Sequence, residues 1–79
     1  MKAQVRVTLR GGILDPQGKA VEHSLASLGF DSIKNVRVGK YIELELDASD
    51  AVSAKKAVEE MCKKLLSNPV TENFDVQVI

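Results

Sequence analysis

The chain has 79 residues and 11 basic and 11 acidic side chains, so its formal net charge is zero. This balance disfavours nucleic acid or an anionic membrane as a partner, because both attract an excess of positive charge. The single cysteine excludes an internal disulfide, and no apolar stretch reaches the roughly 20 residues that span a bilayer. We expect one cytoplasmic domain over residues 1–79, with a core so small that a partner or second copy would help to stabilise it.

The first predicted elements are a strand and a helix. Apolar and polar residues alternate over residues 2–10, which is typical of a strand with one face in water, and Gly11-Gly12 ends it. Asp15 and Pro16 predict a helix start, because aspartate caps free backbone amides and proline loses no hydrogen bond there. Gly29 predicts the helix end in a Schellman turn. The predicted buried stripe of this helix comprises Ala20, Val21, Leu25 and Leu28.

The middle of the chain predicts two strands joined by a hairpin. Val36 and Val38 belong to the second strand, and Gly39 and Lys40 to the turn. The apolar residues of the third strand are Ile42, Leu44 and Leu46. A two-residue turn would place both valines on the face that carries the glutamates. We therefore favour a bulge or a three-residue loop, the alternative being that the valines are buried on the second face of the sheet.

The last third of the chain predicts a second helix and a fourth strand. Asp47, Ser49 or Asp50 caps the helix. Its predicted inward residues are Ala51, Ala54, Ala57, Val58, Met61, Cys62 and Leu65. Pro69 ends the helix because it disfavours helical geometry at the preceding residue. The predicted fourth strand carries the alternating apolar residues Phe74, Val76 and Val78.

An internal repeat relates the two halves of the chain. The tetrapeptide of residues 19–22 recurs at residues 56–59, and the alternating apolar residues of the first strand recur in the third at the same offset of 37 positions. The repeat predicts an α+β fold with ferredoxin-like internal duplication, a βαββαβ two-layer sandwich. We expect an antiparallel sheet in the order 4-1-3-2, with both helices on one face and a polar second face. The open edges and the small size predict a homodimer.

The sequence predicts no catalytic residue and no metal ligand. His23 and Cys62 lie on different helices, so they do not form a metal site. Cys62 belongs to an apolar stripe, which favours a buried structural thiol. The spacing around Gly11-Gly12 matches neither the Walker loop nor the dinucleotide-binding fingerprint. Tyr41 is the only aromatic residue predicted on the open face, which disfavours base stacking and hence nucleic acid.

Three segments resemble the PurS family, the small subunit of phosphoribosylformylglycinamidine (FGAM) synthase. They are Leu-Asp-Pro-Gln-Gly at 14–18, Val-Arg-Val-Gly-Lys-Tyr-Ile-Glu-Leu at 36–44 and Leu-Leu-Ser-Asn-Pro-Val at 65–70. They occur in the family's order, and the resemblance extends over essentially the whole chain. Thr71 and Phe74 replace the isoleucine and tyrosine expected from the family.

The resemblance implies a non-catalytic subunit of an ATP-dependent glutamine amidotransferase complex, FGAM synthase (EC 6.3.5.3), in purine biosynthesis. A glutaminase subunit, PurQ, would release ammonia, and a synthetase subunit, PurL, would use ATP and magnesium to make formylglycinamidine ribonucleotide. The small subunit, a homodimer that binds no cofactor, would bridge the two and support ammonia transfer. The residues expected to contact these partners are Asp15, Pro16, Gln17, Gly18, Arg37, Gly39, Lys40, Asn68, Pro69 and Glu72.

Two alternatives share the predicted topology. A regulatory ACT-like domain would bind an amino acid, with Gly11-Gly12 and Asp15 after the first strand as the binding loop. An acylphosphatase-like hydrolase would need an arginine within a phosphate loop, whereas Arg10 precedes the glycines. The hydrolase is therefore the weaker alternative.

Overall fold

The computed structural model describes all 79 residues as a three-stranded sheet with two α-helices. The elements in chain order are β1 (Lys2–Leu9), α1 (Pro16–Ser27), β2 (Lys40–Glu45), α2 (Ala51–Met61), a π-helical turn (Cys62–Leu66) and β3 (Glu72–Val78). The sheet has the order β2-β1-β3, and β1 is antiparallel to both neighbours. The predicted α+β fold class is confirmed.

The core lies between the sheet and α2. Alternate side chains of β1 point into it, and Val5 lies opposite Ile42 on β2 and Val76 on β3. The buried core residues are Ala3, Val5, Val7, Val58, Cys62 and Val76. The predicted polar second face is also present, and on it the Lys2 Nζ lies 3.2 Å from the Glu43 Oε2. The two-residue periods of all three strands thus separate a buried face from a wet one.

The predicted second strand is not formed, so the prediction of a hairpin at Gly39 and Lys40 was wrong. Residues 33–39 belong to no strand, and β2 begins at Lys40 and pairs only with β1. The Val38 N–H donates to the Asp15 carboxylate instead of to a neighbouring strand. A distant contact therefore replaces the local pairing that the sequence pattern favoured, and the expected bulge has no place in the structure.

Helix α1 begins and ends as predicted, but this chain does not bury its apolar stripe. The Phe30 N–H donates to the Leu25 carbonyl at 2.9 Å and Gly29 has a φ of 100°, which completes the Schellman turn. Only Gly18 of α1 is buried. Val21 and Leu28 are exposed, so the predicted packing of α1 on the sheet was wrong within one chain. The molecule is consequently long and thin, with extents of 50 × 24 × 14 Å.

Helix α2 is capped by Asp50, whose Oδ1 accepts from the Ser53 N–H at 2.7 Å. Its buried residues are Ala54 and Val58, followed by Cys62 at the start of the π-helical turn. The turn is wider than an α-helical turn, so it changes which side chains face inward. Leu65, predicted to face the core, is 82% exposed, and Leu66 packs against the core instead. No helix of the structure is long and apolar enough to cross a membrane.

Candidate functional site

Three loops meet at one end of the sheet. Because β1 is antiparallel to β2 and β3, the end of β1 lies beside the starts of both neighbours. The segments at this end are residues 10–18, 35–40 and 66–72, which we call the end-loop cluster. All ten residues predicted to contact partners belong to it. The structure therefore brings together three motifs that are far apart in the sequence.

Asp15 holds the first two segments together. Its side chain is 5% exposed; Oδ1 accepts from the Gly18 N–H and Oδ2 from the Val38 N–H, both at 2.8 Å. The Arg37 Nε lies 3.9 Å from Oδ2. The Val38 and Gly18 amides, followed by the Arg37 guanidinium, hold the pKa of Asp15 below its ordinary value of 3.8 despite the opposing effect of burial. The residue is therefore a charged internal clamp.

Gly18 allows the close approach that this clamp requires. A Cβ at position 18 would collide with the backbone carbonyl oxygen of Val36. The glycine in the first turn of α1 is thus explained by a backbone of the same chain. Gly39 has a similar role, because a Cβ there would lie 2.5 Å from the Val7 carbonyl oxygen on β1.

Two arginines connect the segments through backbone carbonyls. The Arg37 guanidinium donates to the carbonyls of Ile13 at 3.0 Å and Arg10 at 3.2 Å. The Arg10 guanidinium in turn donates to the Pro69 carbonyl at 2.8 Å. The sequence analysis missed this role of Arg10. The only feature of the sequence that points to this role is a positively charged side chain at the end of the first strand, immediately before two glycines.

Lys40 connects the third segment to the start of β2. Its Nζ donates to the Leu66 carbonyl at 3.1 Å and lies 3.9 Å from the Glu72 Oε1. Glu72 also accepts from the Asn68 N–H at 2.6 Å, and the Asn68 Oδ1 accepts from the Val70 N–H at 3.1 Å. The loop before β3 is therefore fixed by its own side chains and by Lys40.

The end-loop cluster presents polar and apolar groups to solvent together. Its predicted contact residues divide by burial, since Asp15 and Gly18 are buried and Glu72 is half-buried. The exposed members are Pro16, Gln17, Arg37, Gly39, Lys40, Asn68 and Pro69. Leu14 and Val70 lie in the same loops and are 72% and 77% exposed. Apolar groups bordered by fixed polar groups have the composition of a protein–protein interface.

The remaining reactive side chains lie outside the cluster. Cys62 is buried in the core, where burial and then Glu59 raise the pKa of its thiol, so the thiol is protonated at neutral pH. His23 is exposed on α1. No three histidine, cysteine or acidic side chains come close enough together to hold a metal ion. The chemistry available at the end-loop cluster is thus recognition through hydrogen bonds, charge and apolar contact.

The three-stranded antiparallel sheet, the two helices and the end-loop cluster define a small α+β protein. Residues 2–79 match the family model "PurS: Phosphoribosylformylglycinamidine (FGAM) synthase". The PurS subunit of Synechocystis sp. is 45% identical over 95% of this chain and 75% of that protein. For the Bacillus subtilis PurS subunit the identity is 44%, over 98% of this chain and 90% of that protein.

A solved structure of a PurS-containing complex also matches this chain in sequence and fold. One chain of the PurLQS structure from Thermotoga maritima is 33% identical and covers 99% of this chain and 95% of its own length, with a TM-score of 0.89. The chain belongs to the PurS family, as its three motifs predicted. It is a subunit of FGAM synthase, an enzyme of purine biosynthesis, and catalysis belongs to the complex and not to this chain alone.

Proposed function

We propose that this chain, as a homodimer in the cytoplasm, bridges the glutaminase subunit PurQ and the synthetase subunit PurL and so supports ammonia transfer between them. In this proposal the synthetase subunit uses ATP and magnesium, and this chain binds no cofactor. The chain's contribution is to hold the two larger subunits in a fixed relative orientation.

The observation that carries the proposal is the convergence of three loops into one fixed surface. Hydrogen bonds to backbone carbonyls of neighbouring loops are donated by the side chains of Arg10, Arg37 and Lys40. The loops are therefore ordered before any partner binds. A surface that is already ordered loses less conformational entropy on association. The end-loop cluster is therefore suited to bind and orient a large partner.

The known relatives support this assignment. The Thermotoga maritima chain described above was solved as part of PurLQS, and its fold superposes on nearly the whole of this chain. Membership of the PurS family also decides against the ACT-like alternative. The bridging proposal expects no tight amino-acid binding by the isolated chain, which calorimetric titration would measure.

Co-elution with PurQ and PurL from the same organism tests the proposal. The three proteins are mixed with glutamine and magnesium–ATP and separated by size. We expect one species that contains all three, and we expect Arg37→Ala/Lys40→Ala to weaken it. The matched control Lys55→Ala/Lys56→Ala removes two exposed charges from α2, outside the cluster, and should leave the complex intact. Separate elution of this chain from both partners would refute the bridging role.

A further inference from the structure

Arg10 differs from the other two basic residues of the end-loop cluster in its electrostatic surroundings. The Arg37 Nε lies 3.9 Å from the Asp15 Oδ2, and the Lys40 Nζ lies 3.9 Å from the Glu72 Oε1. The Arg10 guanidinium makes no ion pair with any acidic side chain of this chain. Its positive charge is therefore the one in the cluster that has no acidic neighbour.

The exposed charges of the end-loop cluster are all positive. The cluster contains three basic and two acidic residues, so it has one net positive charge although the whole chain has none. Asp15 is buried and Glu72 is half-buried, whereas Arg10, Arg37 and Lys40 are exposed. Exposed charges act over about 8 Å at physiological salt, so a partner that approaches this end of the sheet meets a positive surface.

The backbone of Arg10 is fixed on both sides. Its N–H donates to the Thr71 carbonyl at 2.8 Å, which continues the pairing of β1 with β3 by one residue. Its carbonyl accepts from the Ile13 N–H and from the Arg37 guanidinium, both at 3.2 Å. These bonds do not involve the Arg10 side chain. A substitution at position 10 therefore leaves the local backbone held.

The side chain of Arg10 is positioned by one donor and keeps the others available. Its Nη2 donates to the Pro69 carbonyl at 2.8 Å. A guanidinium has five N–H donors in one plane, and this bond uses one of them. Because the residue is exposed, the remaining donors are accessible from solvent. An arginine that is already held in this way loses less rotamer freedom when a carboxylate binds to its free donors.

We propose that Arg10 binds a carboxylate of one of the two larger subunits, PurL or PurQ, when the complex assembles. The inference rests on the bridging role proposed above and adds the residue and the chemistry by which the end-loop cluster recognises its partner. A carboxylate matches the planar guanidinium in shape and neutralises the charge that this chain leaves uncompensated. Arg37 and Lys40 order the loops, whereas Arg10 makes the ionic contact across the interface.

The salt dependence of assembly tests this contact. Fluorescently labelled chain is titrated with an equimolar mixture of PurL and PurQ, and anisotropy gives the affinity from about 50 to 300 mM salt. Arg10→Ala should bind about tenfold more weakly at low salt. Its affinity should also fall less steeply as salt rises, because one screened ion pair is missing. Arg10→Lys should keep the wild-type slope, and so should Arg6→Ala, which removes an exposed arginine of the same strand.

The salt slope separates an ionic contact from a structural role. A hydrogen bond to the neutral Pro69 carbonyl forms within this chain, so its loss alone would weaken binding equally at every salt concentration. An Arg10→Ala slope equal to that of wild type, with unchanged circular dichroism, would therefore overturn the proposal. Failure of the wild-type chain to bind the mixture at any salt concentration would instead overturn the bridging role.

Zero-length cross-linking identifies the carboxylate. A carbodiimide joins an amine to a carboxylate in contact with it, with loss of water. In the assembled complex of Arg10→Lys, mass spectrometry should find the amine at position 10 joined to an aspartate or glutamate of PurL or PurQ, which also tells the two subunits apart. The wild-type complex has no amine at this position and is the matched control. If the Arg10→Lys complex assembles but position 10 is not joined, or is joined only to this chain, the proposal is wrong.

Discussion

The carboxylate of Asp15 accepts a hydrogen bond from the Val38 N–H, 23 residues further along the chain, at 2.8 Å. The same carboxylate caps α1 through the Gly18 N–H. One side chain thus fixes both where α1 begins and where the segment before β2 runs. This contact adds to the strand pairing that brings the three segments of the end-loop cluster to one end of the sheet.

Replacing Asp15 should destabilise the fold. Asp15→Ala removes the cap of α1 and leaves the Val38 N–H without its acceptor, so we expect the melting temperature to fall by about 5 to 10 °C. Thermal denaturation followed by circular dichroism measures it. Asp31→Ala, at an exposed position in the turn after α1, should change it little. Equal melting temperatures for Asp15→Ala and wild type would show that the clamp contributes nothing.

The lowered pKa of Asp15 predicts an acid dependence of stability. Its folded-state pKa lies below the ordinary value of 3.8, so below that pH the unfolded chain binds more protons than the folded one. The stabilisation is complete above this value and is lost as the pH falls through the folded-state pKa. Urea unfolding midpoints from about pH 6 down to about pH 2.5 should fall less steeply for Asp15→Asn than for wild type. Parallel curves would contradict the prediction, and Asp31→Asn should retain the wild-type slope.

Gly18→Ala should destabilise the protein although alanine is the better helix former. A Cβ would collide with the Val36 carbonyl oxygen, so the segment before β2 must move. We expect a loss of about 1 to 3 kcal/mol in unfolding free energy, measured by urea denaturation. Gly11→Ala is the matched control, because a Cβ there has open space. A Gly18→Ala variant as stable as wild type would show that the two backbones separate without cost.

Local signals in the sequence were sufficient for β1 and for both ends of α1. The two-residue period of β1 and the Asp15-Pro16 start and Gly29 end of α1 depend on neighbouring residues, and the structure has all three. The three motifs of the candidate site could also be recognised in the sequence, because each is a short continuous segment. They meet at one end of the sheet because β1 is antiparallel to β2 and β3.

Contacts between distant residues explain what the sequence did not reveal. Val36 and Val38 have the period of a strand, but Asp15 takes the amide that a strand would use. The inward position of Leu66 depends on the π-helical turn, in which the Ser67 N–H and hydroxyl both donate to the Cys62 carbonyl. Arg10 joins the site only because the loop before β3 folds back to its guanidinium. None of these three contacts can be predicted from one segment of the sequence alone.

The proposed bridging role requires the end-loop cluster to couple ammonia release by PurQ to ammonia use by PurL. The direct measurement compares FGAM formation by reconstituted PurL, PurQ and this chain with glutamine or with ammonium salt as nitrogen source. Arg37→Ala/Lys40→Ala should lower the glutamine-dependent rate by about tenfold and leave the ammonia-dependent rate unchanged, while Lys55→Ala/Lys56→Ala changes neither. A glutamine-dependent rate equal to that of wild type, with the variant folded, would contradict the account.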